Sequence, residues 1–419
     1  MKRIQLPAWL PAAVLATLAL GACTSGARRR LPYDAIGERM EAGDPQAALA
    51  LFDQAMQGRP AGPDERLLRV ELLLSAGRTP EARAELEALT AEQPELPGAL
   101  ATLGRLRLED GDMAGARELF QRALRLEPAN FTALHGMGRI LLEEQSYPEA
   151  LSCLDRALAA ERGFSYAYAD RARARAALED WTGAAADLDE AIRLDPQDPW
   201  SYLDRGRLRL RARRLQEAEA DFSRCLELDP DNFLAYVLRA GILDERGRVA
   251  AASADYEQAL RLRPDYEHAF APLAILHYLQ QNWDRAEVLF RRAFRAEPSQ
   301  TCYVLLAALC QKQAGRGQQA AAILRGLADL QPPDSWELQA ARYLADPALE
   351  SRLLDWIARE GNRVKRGRLL FYLASQFLLE ERTVPALTYL AETAALERRD
   401  LPERRIAAAL LQSYGHKEE

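Results

Sequence analysis

Apolar positions along this chain fall into paired helical stripes that return with a fixed stride. Within Pro97–Asn130, Leu100, Leu103, Gly104 and Leu108 lie near one stripe at helical spacing. Gly111-Asp112 interrupts the pattern, and Ala116, Leu119, Phe120, Ala123 and Leu124 form a second stripe. The pattern predicts helix, turn, helix. It recurs every thirty-four residues: alanine stands at 48, 82, 116, 150, 184, 218, 252, 286 and 320. Four residues after each alanine comes a large side chain, from Phe52 and Leu86 through Phe120, Leu154, Leu188, Phe222, Tyr256 and Phe290 to Leu324. On the preceding helix one position is small in seven consecutive units: Gly104, Gly138, Ala172, Gly206, Ala240, Ala274 and Ala308. Small residues let two helix backbones approach, and the bulky one fills the hole between neighbours. Pro60, Pro94, Pro128, Pro196, Pro230, Pro264, Pro298 and Pro332 close the units, with Arg162 the departure; proline cannot continue a helix.

A small residue at unit position 8, alanine at 20, an aromatic or leucine at 24 and proline at 32 resembles the tetratricopeptide repeat. The resemblance covers about three quarters of the chain, as nine repeats over 29–334. It implies an all-α fold, a right-handed alpha-alpha superhelical solenoid of hairpins whose first helices line a concave face. The first unit, with Pro32 near its start, departs most from the pattern and reads as a cap. The family's aromatic at position 4 is present as Tyr168, Tyr202, Tyr236 or Phe270 but is Leu100 and Leu134 earlier.

The units also test one another. Position 7 is arginine in four of them, Arg69, Arg171, Arg205 and Arg239, and in those four position 23 is Glu85, Asp187, Asp221 and Asp255. In the other five both positions are apolar, as with Leu103 and Leu119. The correlation predicts an ion pair across each of the four hairpins in preference to an anion site.

Both ends depart from the repeat. Lys2 and Arg3 precede an apolar stretch, Leu6–Leu20, and then Leu20-Gly21-Ala22-Cys23. That tetrapeptide resembles a bacterial lipobox. It implies a lipoprotein signal peptide over 1–22, lipid attachment at Cys23 and a tether over 23–28; a plain secretory signal with an incidental cysteine is the other reading. No aspartate follows Cys23, so the resemblance implies the outer membrane, facing the periplasm. The residues Thr24–Arg30 reach at most ~25 Å. Beyond Asp334 the period lapses, and 335–419 reads as a helical C-terminal region. Two amphipathic helices flank Asp346-Pro347, the register partly returns over 367–400 as a degenerate tenth repeat, and Pro402–Gln412 forms a last helix. That helix fits a capping role, with docking or oligomerisation as the alternative.

Net charge is −7, about −9 without Lys2 and Arg3, and no basic face coincides with an aromatic platform, so no nucleic-acid partner is expected. Cys153, Cys225, Cys302 and Cys310 form no CxxC pair and read as small buried hydrophobes. His135, His268, His277 and His416 read as isolated polar positions, without metal spacing. No catalytic residue, metal or cofactor is expected.

The remaining candidate is the first-helix face. Position 9 carries Arg105, Arg139, Arg173 and Arg207 in successive units; position 12 carries Leu74, Leu108, Leu142, Ala176 and Leu210; position 2 offers Tyr166 and Trp200. Such a ladder can grip a partner segment with acidic and apolar side chains. Alternatively Glu109, Glu143, Asp170 and Asp204 neutralise the arginines within the array. The lysine and asparagine clamp of chaperone-tail-binding relatives is absent. The expectation is a membrane-anchored periplasmic scaffold or adaptor, not an enzyme, whose partner is an envelope protein or peptide segment. The alternative is a component of a periplasmic solute-binding or transport system that passes a small ligand through an oligomeric pore.

Overall fold

A computed structural model of the chain describes residues 32–329 and 331–415. The expected signal peptide, Cys23, the tether and His416 lie outside those residues. Helix after helix follows in pairs, with no strand among the described residues. The chain divides into two units, Met1–Ser201 and Tyr202–Glu419.

In the first unit the hairpins are α1 (Tyr33–Glu41) with α2 (Pro45–Met56), and α3 (Pro63–Ser75) with α4 (Thr79–Glu92). There follow α5 (Pro97–Glu109) with α6 (Met113–Leu126), α7 (Phe131–Glu143) with α8 (Tyr147–Ala160), and α9 (Ser165–Ala177) with α10 (Trp181–Leu194). Helix α11 (Pro199–Arg211) begins at the unit boundary. In the second unit α12 (Leu215–Leu228) precedes α13 (Phe233–Glu245) with α14 (Val249–Leu262), and α15 (Phe270–Leu279) with α16 (Trp283–Ala296). Then come α17 (Cys302–Gln313) with α18 (Gly317–Ala328), α19 (Trp336–Ala345) and α20 (Glu350–Arg359), α21 (Arg363–Leu379) with α22 (Thr383–Ala394), and α23 (Pro402–Gly415). Within each unit consecutive helices pack on one another, and in the first unit α5 also touches α7, and α7 touches α9. This is the all-α stack of nearest neighbours that the stride predicts.

Local chemistry starts and stops these helices. The carboxylates of Asp44, Asp112 and Asp180 accept from the backbone N–H three residues on, at 3.0, 2.9 and 2.9 Å, and Asn130 and Asn232 cap in the same way. Between the two helices of a hairpin the residue at unit position 15 turns left-handed. It is Gly43, Gly77, Gly111, Gly247 or Gly315 in some units, but Gln145, Glu179, Arg213 and Gln281 in others, at φ of 60 to 63°. Glu381, at the matching place between α21 and α22, has φ 63°.

The small-to-bulky nesting is direct. A Cβ added to Gly104 would lie 2.7 Å from the Phe120 ring, and one added to Gly136, on the next hairpin, would lie 2.2 Å from it. Phe120 is therefore clasped between two glycines and fully buried. The alanines of the stride and their bulky partners are buried throughout the array, with Tyr256 the most exposed at 6%.

Three of the four expected ion pairs are two-pronged. Arg171 donates to Asp187 at 2.9 and 2.7 Å, Arg205 to Asp221 at 3.1 and 2.7 Å, and Arg239 to Asp255 at 2.7 and 2.7 Å. Each guanidinium also lies over the tyrosine three residues earlier, at 5.4 Å for Tyr168, 5.6 Å for Tyr202 and 5.9 Å for Tyr236. The fourth is weaker. Arg69 reaches Glu85 only at 3.5 Å and holds Asp53 at 2.9 Å, because Arg66 takes Glu85 at 2.5 Å.

Candidate functional site

Side chains at unit positions 2, 5, 9 and 12 of the first helices share one face, since about 100° separates successive residues. In the first unit that face carries charge. Arg105 donates to Glu71 at 3.4 Å and to Glu109 at 3.3 Å, and it is mostly buried. Arg173 reaches Asp170 at 3.2 Å and Glu143 at 3.7 Å but keeps half its surface in solvent. Arg139 is exposed and makes no hydrogen bond or ion pair among the described residues. Glu71, Glu109, Glu143 and Asp170 neutralise Arg105 and much of Arg173, while Arg139 remains open.

His135 is not the isolated polar residue expected from sequence. Its Nε2 lies 2.9 Å from Asp170 Oδ2, and its ring is 4.8 Å from Tyr166 and stacked at 5.8 Å on Phe131. Phe131 stacks in turn on Phe164 at 3.7 Å. Burial alone would push the Asp170 carboxyl up. The His135 hydrogen bond and the nearby Arg139 and Arg173 outweigh it and hold Asp170 below the ordinary carboxylate range. Burial pushes the Tyr166 phenol far above its ordinary value, against the pull of Arg105. Arg105, Arg139, Tyr166 and Arg173 thus belong to one connected polar surface, with His135 and Asp170 at its centre. The signal for that centre is a histidine at unit position 5 followed by an aspartate at position 6 one unit later.

The other expected site residues stand apart. Trp200, at the start of α11, is 49% exposed. Arg207 lies in the second unit, exposed, and bonds Asp204 at 3.2 Å. The apolar row at position 12 is a correction: Leu74 and Leu142 are buried in the array, so in the first unit this face offers a partner mainly charge and hydrogen bonds.

In the second unit the same face is covered. Position 9 changes from arginine to Gly241, Ile275 and Leu309, and the last two are buried. Helix α23 packs against α15, α21 and α22, and its Ile406 and Ala407 are fully buried in one core with Ile275, Tyr278, Leu305 and Leu309. Arg405 pairs with Asp244 at position 12 of α13. The last helix therefore does more than cap the stack: it lies along the first-helix face. Its Glu403 is completely buried and accepts on Oε1 from Arg368 Nε and Nη2, at 3.0 and 2.9 Å, and from the Tyr372 hydroxyl at 2.9 Å.

Among the described residues no group of histidine, cysteine and carboxylate side chains is placed to hold a metal, and no helix is long and apolar enough to cross a membrane. None of Cys153, Cys225, Cys302 and Cys310 is in a disulfide, and burial pushes Cys302 and Cys310 well above the ordinary thiol value.

Family models described as tetratricopeptide repeat match residues 39–106 and 107–178, and, with a second model of the same description, 203–267 and 272–335. No curated protein matches the chain significantly. Solved structures similar to it include Pseudomonas aeruginosa PilF, at 20% identity over 48% of this chain and 92% of that one, with a TM-score of 0.43. Others are PilW, a type IV pilus biogenesis factor (23% identity, 51% and 97% covered, TM-score 0.37), and YrrB, a repeat protein with an unusual peptide-binding site (21% identity, 44% and 95% covered, TM-score 0.38). With the stride, the nesting and the matched stretches in agreement, the chain belongs to the tetratricopeptide repeat family.

Proposed function

We propose that this protein is a lipid-anchored scaffold of a bacterial envelope, fixed to the membrane through Cys23, and that the first-helix face of its first unit holds an acidic segment of another envelope protein. Tetratricopeptide repeats work as protein-binding surfaces, and the anchor rests on the leader sequence alone. The observation that carries the binding face is the exposed Arg139, without an ion-pair partner, beside the half-exposed Arg173. Around them the charges almost balance. A carboxylate on the partner replaces water at Arg139 and competes with Asp170 and Glu143 for Arg173. Recognition of this kind buries little apolar surface, so it weakens as salt rises.

Two measurements test the reading separately. Cys23→Ser moves the protein from the membrane fraction to the soluble fraction if the anchor is real, and leaves it in place if it is not. Arg139→Glu with Arg173→Glu abolishes partner capture from the native envelope while the protein keeps its helical signal. Unchanged capture removes this face as the site.

A further inference from the structure

The second unit holds a helix along the face that the first unit leaves open. Helix α23 is joined to α22 by residues 395–401, of which Leu396 and Leu401 are buried and Glu397, Arg398, Arg399 and Asp400 are exposed. Its sequence is poor in large apolar groups: Ile406 is its one large apolar side chain fully buried, followed by three alanines, and Leu410 and Leu411 are only partly buried. Charge also fixes its position. Arg368, lying 4.1 Å over the Trp336 ring, receives Glu403 in the first turn of α23, and Asp244 receives Arg405 two residues later. The two receptor charges have opposite sign, and α23 matches both in order. Glu403 Oε2 is buried with no hydrogen-bond partner, so the fit is incomplete at its anchor.

We propose that the first-helix face of the second unit, with Arg368 and Asp244 as its poles, is a receptor for an amphipathic helix, and that α23 is its resident ligand. The partner that takes its place is a helix with a carboxylate in its first turn, a basic residue two positions on, and an apolar stripe beginning at the next residue. Such a helix inherits the three hydrogen bonds now made to Glu403 and the buried place of Ile406 in the core that also holds Ile275 and Leu305. This site is independent of the arginine face in the first unit, and either can fail without the other.

The test uses the full chain with a specific protease site inserted after Arg399, cut while the protein is folded. The probe is a fluorescein-labelled peptide of the sequence Asp400–Gly415. The cut chain binds it saturably by anisotropy, and the uncut chain does not. A Glu403→Gln peptide binds on the order of ten-fold more weakly or worse, as loss of a buried charged acceptor requires. Asp244→Arg protein reverses the preference towards a peptide carrying Arg405→Glu. The proposal is overturned if cutting costs the protein its helical signal. It is equally overturned if the cut chain never exchanges α23 for the peptide, or binds the Glu403→Gln peptide as well as the parent.

Discussion

The buried aspartates of the hairpins differ in how many arginines hold them, and that difference sets their response to mutation. Asp255 is held by Arg239 alone, whereas Asp221 is held by Arg205 and, at 2.7 Å, by Arg209. Removing one partner of a buried pair costs ~3–5 kcal/mol when the other is stranded. Arg239→Leu is therefore expected to approach that cost, and Arg205→Leu to fall clearly below it, by urea unfolding. Arg239→Leu with Asp255→Leu recovers most of the loss. The pairing was legible because the five units without arginine serve as comparison. The additional reach of Arg209, Arg175 and Arg66 was not, because long side chains at positions 11 and 4 choose partners only once the helices are packed. His277 supplies the pH response. It is buried with Nδ1 lacking a partner, and burial holds its pKa below the usual 6.5 in spite of Glu257 at 3.3 Å. The unfolded chain takes up the proton first, so the stability owed to neutral His277 is complete above pH 6.5 and is lost as pH falls below it. Below pH 6.5, His277→Gln should flatten the fall in unfolding midpoint relative to the parent.

At the scale of elements, the hairpin turn is the place where sequence and geometry disagree. Gln145 and Gln281 sit at φ 60°, where other units place glycine. A left-handed residue with a Cβ costs roughly 1–2 kcal/mol, part of which glycine gives back as unfolded-chain entropy. Gln145→Gly and Gln281→Gly should each raise stability by up to about 1 kcal/mol, read as a higher melting temperature. Helix positions themselves were written in the sequence by the alanine stride, the caps and the closing prolines. The placement of α23 was not. Its own pattern shows an amphipathic helix and nothing about the surface it covers. The hint lay elsewhere, in the switch at position 9 from Arg207 to Gly241, Ile275 and Leu309, which leaves an apolar strip where earlier units present charge.

Considered as a whole molecule, the chain is a repeat array whose stability is a sum over neighbours. The period made the fold readable, because every unit repeats the same solution to the same packing problem. The site was readable only as a ladder of arginines. Which rungs are occupied depends on acids one unit away, and only coordinates show that Glu71 and Glu109 occupy Arg105 while Arg139 stays open. We propose that a partner lies along this face. A photo-crosslinking amino acid at Glu143, on the face, and another at the exposed Glu118 of α6, on a second helix, test it directly in the native envelope. The account predicts a discrete adduct from position 143 that disappears with Arg139→Glu, and none from position 118. Equal adducts at both positions, or an adduct at 143 that survives Arg139→Glu, contradict it.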